Sequence, residues 1–366
     1  MLPKMKLAFQ SISHLASWVV VLFFVLFAPV VNSFFVPVDV RYQTMSRRTG
    51  PSDWLSKIAL SDSSSLDILF VGHSQTLTNI DHSVLQHEIA RRGVSATSAT
   101  VAMTWANFDF AYLYLSELFR HRSVKLVVLP LGPRQESSHS ATKYLRRLQT
   151  ADPGLSLANL RMAATNYAEM SLISLRLLSA LAFPPGRQVL QGYRWWREVG
   201  ENEEQTHGTW LAERGFQSRD GMEKKNFHVV GIREGVDGYT LVSHNDPTFQ
   251  DLRFGEESLS DFEMAYVPAI RELCEKHGAN LVLLRQPLMR SDEIDSVSIP
   301  RRARDLGVPI LYATLRSTFG TGDAGIMKDY FYNESHLNAN GAKQNAYAIA
   351  KAIMPFLATT ISKAHD

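Results

Sequence analysis

Cysteine is almost absent from this chain. Cys274 is the only one in 366 residues, so no intramolecular disulfide and no cysteine-based metal cluster can form. Excess charge of one sign is lacking as well. A formal net charge of +2 is too small to mark a nucleic-acid binder. The basic pairs Arg47-Arg48 and Arg301-Arg302 are local and read as solvated surface. His82, His87 and His121 do not form a usual metal-ligand spacing with carboxylates, and no cofactor is implied. There is no internal repeat and no low-complexity tract. What is present is ordinary globular composition, 45% hydrophobic and 20% charged, enough for a real core. The length suits one large domain or a domain with a sizeable insertion.

The longest apolar stretch lies near the N-terminus. Lys4 and Lys6 precede it, and it runs from Leu15 to Val31, reaching Phe35 if Pro29, Asn32 and Ser33 are tolerated near one end. Crossing the hydrocarbon core takes ~20 mostly apolar residues. Basic residues ahead of the run stay cytoplasmic, which would export the remainder. The expected organisation is a cytoplasmic segment over 1–14, a transmembrane anchor over 15–35, a linker over 36–65 and a main domain over 66–366. A cleaved signal peptide is the rival reading, but no small-x-small site follows Ala28.

From Leu66 onward strands and helices alternate. The expected strands are Leu66 to Val71, Ser98 to Met103, Val124 to Leu131, Asn280 to Leu284 and Val308 to Tyr312. The expected helices run from Ile80 to Arg92 (stopped by Gly93), Phe108 to Phe119, Ser260 to His277 (stopped by Gly278), Arg301 to Leu306 and Asn340 to Leu357. This alternation predicts an α/β fold, a parallel sheet covered by helices in three α/β/α layers. The rhythm breaks between about 135 and 250, where a helix over Ser171 to Leu181 and an irregular aromatic stretch read as an insertion or cap. Trp195, Trp196 and Trp210 in that stretch either line a ligand cleft or simply pack a core.

Parallel strands bring their carboxyl ends to one edge, where α/β enzymes place their chemistry. Gly72-His73-Ser74-Gln75 sits at such an end. A serine there has the backbone N–H groups of the following turn beside it, and these can hold an oxyanion. The plainer role for Ser74 is a helix N-cap. The motif is not the nucleophile elbow G-x-S-x-G, because Thr76 replaces the second glycine. The second candidate segment is Tyr332 to Gly341, just before the last helix. His336 in that loop can serve as general base to a serine hydroxyl, with a polar residue shortly before it holding the ring in the right tautomer. Arg285, after the strand ending at Leu284, is a candidate for binding an anionic sugar or lipid phosphate, or for a rim salt bridge. His73 receives no role.

An early strand followed by Gly-x-Ser, together with a late His-Leu-Asn-x-x-Gly before the final helix, resembles the SGNH (GDSL-like) hydrolase superfamily. The resemblance is strongest to its envelope branch, the proteins of alginate and cellulose acetylation and of teichoic-acid D-alanylation. It covers about 66–131 and 259–357. It implies a flavodoxin-like fold, Ser74 as nucleophile, His336 as base and O-acylation of a cell-surface polysaccharide or glycolipid. A polytopic membrane acyltransferase would be the donor partner and the cell membrane the location. A plain envelope esterase, or an anchored polysaccharide-binding protein with a weak site, are the alternatives. Two departures stand out. Asn333 occupies the position of the family's aspartate; it can orient an imidazole but cannot balance its charge, and Glu334 or Asp329 are nearby candidates for that. The family's oxyanion glycine and asparagine have no clear counterparts, although Ala102 to Asn107 and Gly132-Pro133-Arg134 lie in the corresponding places. That leaves the oxyanion to the Ser74 N–H and one further donor without an assigned residue.

Overall fold

In a computed structural model of the chain, the residues described are 26–44, 55–61, 66–103, 106–131, 140–148, 151–182, 231–245, 259–288, 295–320, 328–331 and 335–362, with the single residues 19, 23 and 333. In chain order the elements are α1 (Val38–Thr44), β1 (Leu66–Gly72), α2 (Ser74–Thr78), α3 (His82–Arg91), β2 (Ser98–Ala102), α4 (Phe108–Leu118), β3 (Val124–Pro130), α5 (Ser140–Leu145), α6 (Leu160–Ala182), β4 (Thr240–Val242), α7 (Asp261–Lys276), β5 (Asn280–Arg285), α8 (Asp295–Leu306), β6 (Ile310–Tyr312), α9 (Leu315–Phe319) and α10 (Ala339–Ser362). They form two compact units, one from residues 1–48 and 140–198, the other from 49–139 and 199–366.

The larger unit is α/β. Its six strands run in the order β2-β1-β3-β5-β6-β4. All neighbours are parallel except β4 and β6. The five parallel strands have a doubly wound order that reverses between β1 and β3, and α/β proteins bind ligands at such a reversal. The strands β1, β3 and β5 are legible as continuous apolar runs because parallel strands are buried on both faces. All seven residues of β1 are buried. Ile68 and Phe70 of β1, Leu126 and Val128 of β3 and Val282 and Leu284 of β5 share one core with Leu85 and Ile89 of α3 and Ile349 and Ile353 of α10. A second helix pair, α4 and α7, packs through Tyr112 against Tyr266 and contacts β1 and β5. The arrangement is consistent with three layers.

Local chemistry sets the helix ends. Asp81 caps α3 by accepting from the Ser83 and Val84 N–H groups. Ser260 and Glu263 form a reciprocal capping box on α7, which gives two orphan first-turn donors a partner. Gly93 and Gly278 terminate α3 and α7 with φ of +84° and +70°, a region glycine enters without a Cβ penalty. Pro268 stands inside α7, not at its start. The strand β4 falls within the stretch expected to be insertion, and it adds an antiparallel edge to the sheet.

The smaller unit is helical, and it holds residues 140–182 of the expected insertion. It gathers helical residues 26–35, α1, α5, α6 and two short 3-10 turns. Its interior mixes apolar side chains such as Val36, Val40, Leu145, Met170 and Leu177 with buried polar ones. Asn32 donates to Ser174 Oγ at 2.8 Å, and Arg41 donates to the Asn32 and Tyr144 carbonyls. The helix α1 belongs to this unit, so part of the expected linker is structured. Another part, 55–61, belongs to the larger unit, where Tyr114 donates to the Leu55 carbonyl. Among the described residues no helix is long and apolar enough to cross a membrane. Residues 1–18, 20–22 and 24–25 of the expected N-terminus and anchor lie outside the described ones, as do Trp195, Trp196 and Trp210.

Candidate functional site

The strand β1 delivers Gly72, His73 and Ser74 to the carboxyl edge of the sheet. A Cβ on Gly72 would overlap Thr76 Oγ1 and the Pro130 ring at the end of β3. Glycine is therefore required here by packing. His73, not Ser74, is the N-cap of α2; its Nδ1 accepts from the Gln75 N–H at 3.3 Å. Burial, followed by the charge of nearby His336, pulls its pKa down to about 4. His73 is thus neutral and fixes the first turn. Because the capping role is filled by its neighbour, the Ser74 hydroxyl is available for another partner. The Ser74 N–H is one of the first-turn amides that an α-helix leaves without an intrahelical acceptor.

That partner is His336. Its Nε2 lies 2.9 Å from Ser74 Oγ, across 262 positions of sequence. On the other side of the ring, Nδ1 lies 3.0 Å from Asn333 Oδ1. The same Oδ1 accepts from the Ser335 N–H at 3.0 Å and from the His336 N–H at 2.9 Å. Two backbone donors identify that atom as the carbonyl oxygen of the amide, since an NH2 there would face two N–H groups. Nδ1 therefore carries the hydrogen toward Asn333, and Nε2 presents its lone pair to the serine hydroxyl. This is the tautomer a general base needs.

The rest of the motif builds the loop. Phe331 and Leu337 pair as an isolated antiparallel bridge, and Leu337 is buried with Phe319, Tyr330 and Phe331. Asn338 Oδ1 accepts from the Gly341 N–H at 3.0 Å, while Asn338 Nδ2 donates to the Asp329 carbonyl. A Cβ on Gly341 would overlap the Tyr330 carbonyl and crowd Leu337. The bonds described for Asp329 thus use its backbone oxygen, and Glu334 lies outside the described residues.

One buried side chain ties the two loops together, and sequence reasoning missed it. Asn79, just after α2, accepts at Oδ1 from the Leu337 N–H at 2.9 Å and from Thr78 Oγ1 at 2.9 Å. Its Nδ2 donates to Gln286 Oε1 at 2.8 Å and to the Ser335 carbonyl at 3.4 Å. Its own carbonyl accepts from Asn345 Nδ2 at 2.8 Å, and Asn345 in turn accepts from the Tyr239 hydroxyl at 2.7 Å. Burial raises the Tyr239 pKa, which keeps that hydroxyl a donor. No local pattern marks Asn79, because its partners lie far away in sequence. Arg285 ends β5 in register with Tyr312; the described bond from this end of the strand into the site is made by its neighbour Gln286. Asn107 is the N-cap of α4 and does not cap it with its side chain. Loop 132–134 lies outside the described residues.

No protein-family model matches this chain, and no curated protein matches it in sequence.

Proposed function

We propose that the larger unit is a serine acyl-transfer enzyme of SGNH type, with a flavodoxin-like three-layer fold. The observation that carries this is the Ser74 Oγ–His336 Nε2 approach of 2.9 Å, with the ring held from behind by Asn333. In the reaction, His336 Nε2 takes the Ser74 proton as Oγ attacks an ester or thioester carbonyl. The tetrahedral oxyanion faces the Ser74 N–H. Its collapse breaks the bond to the leaving group, which departs with the proton from His336 and leaves an acyl-serine ester. An acceptor hydroxyl then gives its proton to Nε2 and takes the acyl group, restoring Ser74.

The acceptor in this reading is a cell-surface polysaccharide or glycolipid, and the donor partner is a polytopic membrane acyltransferase. The chain is held at the cell membrane by residues 15–35, with this unit on the extracytoplasmic side. Support for these particulars is the resemblance of the serine and histidine segments to envelope O-acyltransferases, and the apolar N-terminal run. An esterase differs only in using water as acceptor. A neutral Asn333 favours a second reading, an anchored polysaccharide-binding or assembly protein with little activity, because it cannot balance an imidazolium. The test incubates the full chain in detergent with a chromogenic acetyl ester, with and without an oligosaccharide acceptor. Release that disappears in Ser74→Ala supports the enzyme. Sugar-dependent acceleration distinguishes transferase from esterase. Wild-type protein that releases nothing above Ser74→Ala with either acceptor overturns acyl transfer.

A further inference from the structure

Two helices of the smaller unit expose large apolar side chains while burying polar ones beside an apolar interior. Water-facing helices normally carry polar residues outward and apolar residues inward. Along residues 26–35, Asn32 is fully buried while Phe34 and Phe35 are 74% and 71% exposed. Leu26 and Phe27 are exposed as well, and this stretch contains no charged residue. The helix α6 repeats the pattern. Asn166, Ser171 and Ser174 are buried alongside Met170 and Leu177, while Leu160, Leu172 and Leu175 are exposed, Leu172 by 68%.

Two charged residues of α6 are turned toward the unit, while Arg161 at its start is exposed. Glu169 pairs with Lys143 of α5 at 2.5 Å, and the Arg176 guanidinium lies 5.8 Å from the Tyr144 ring centre. From Ala164 to Ala182, every α6 residue described as exposed is uncharged. The two helices meet through polar groups: Asn32 donates to Ser174 Oγ, and the Tyr167 hydroxyl donates to the Leu26 carbonyl. Tyr167 and Ser174 thus follow Leu26 and Asn32 in the same order, so the helices run side by side in one direction.

Polar side chains that bond between helices, with apolar ones turned out, are the arrangement a lipid solvent selects. A face covered by a water-soluble partner does not require the polar groups to be sequestered. The sequence supplies the second observation. Residues 26–35 are the end of the apolar run from Leu15 to Phe35, so whatever solvates that run meets α6 at the level of Asn32. We propose that the outward face of α6, together with that of residues 26–35, is seated in the lipid bilayer. The occupant is the acyl-chain and headgroup boundary. This rests on the membrane-anchor reading but not on acyl transfer.

The test places an environment-sensitive fluorophore on single cysteines of the full chain: Leu172→Cys, Leu175→Cys, Phe27→Cys, and Lys343→Cys as a surface control in the larger unit. The native Cys274 is buried. The protein is reconstituted into phosphatidylcholine–phosphatidylglycerol vesicles, with nitroxide-labelled lipid or aqueous iodide as quencher. The expected result is loss of fluorescence to the lipid quencher at Leu172 and Leu175, within about twofold of that at Phe27, and loss to iodide alone at Lys343. Iodide quenching at Leu172 and Leu175 overturns the proposal. So does shielding from both quenchers, which assigns the face to a protein partner. Lipid quenching at Phe27 without it at Leu172 defeats the proposal but keeps the anchor. The reverse pattern defeats the anchor and keeps lipid contact by α6.

Discussion

The two units differ in what they expose: both bury apolar side chains, but the smaller one also turns large apolar ones outward. In the larger one, Ile68, Phe70 and Leu126 are inside, and buried polar groups such as Asn79, Gln286 and Asn345 gather where loops must be held. In the smaller one, Asn32, Asn166, Ser171 and Ser174 are inside beside Met170 and Leu177, while Phe34, Phe35, Leu172 and Leu175 face out. The first arrangement minimises apolar contact with water. The second is the arrangement that a lipid solvent would favour. The difference teaches that a helix can be amphipathic with its polar stripe as the packing face, so periodicity alone does not say which side is in.

The largest effect should come from the reacting pair. Ser74→Ala is expected to lower ester release at least about 10³-fold, ~4 kcal/mol of barrier, measured as initial rate. Next, a core truncation separates the units. Phe70→Ala should lower stability to denaturant by about 3–5 kcal/mol. Leu172→Ala, on an outward face, should change it by no more than about 0.5 kcal/mol. Equal losses in the two variants would break the comparison.

Acid supplies the third effect. Burial holds His73 and His82 at pKa values of about 4, below their usual 6.5. The unfolded chain binds these protons first, so stability is full above about pH 6.5 and falls as pH drops toward about 4. Each group contributes about 3 kcal/mol to that loss. His82, bonded to Ser98 and Thr100 at 2.7 Å, is the cleaner probe because it lies away from the reacting atoms. His82→Gln should make the decline of the denaturation midpoint with falling pH shallower.

Two smaller effects sharpen the site. Asn79→Ala leaves the Leu337 N–H and Gln286 Oε1 without their partner and is expected to lower kcat about 10- to 100-fold, with KM little changed. An unchanged kcat would reduce Asn79 to a folding role. Asn333→Asp should raise kcat about tenfold, ~1.4 kcal/mol, by balancing the imidazolium charge. A loss of activity would show that the neutral amide, with its two backbone donors, is the better fit to this loop.

Much of the sheet was legible because buried parallel strands are written as apolar runs; Leu66–Gly72 and Val124–Pro130 needed nothing else. The strand Thr240–Val242 was not, since three residues on an antiparallel edge, two of them exposed, carry almost no pattern. The helix α6 was seen only from Ser171, eleven residues after its start at Leu160, because its first half lacks the expected apolar stripe. At the site, Ser74 and His336 stood out by residue type and position, and Asn333 by its spacing from His336. Asn79 and Gln286 did not, since their significance lies in partners more than 200 positions away.

By itself, then, the sequence determined the order of the five parallel strands and of the longer helices between them, because burial on both faces of a parallel strand dictates its composition. It also determined the local turns that present Ser74 and His336. The tertiary structure alone decided that those turns meet at hydrogen-bond distance and that Asn79 joins them. It also decided that α6 turns Leu172 and Leu175 outward. Each of these depends on which surfaces touch, and one segment's sequence does not encode its neighbour's face.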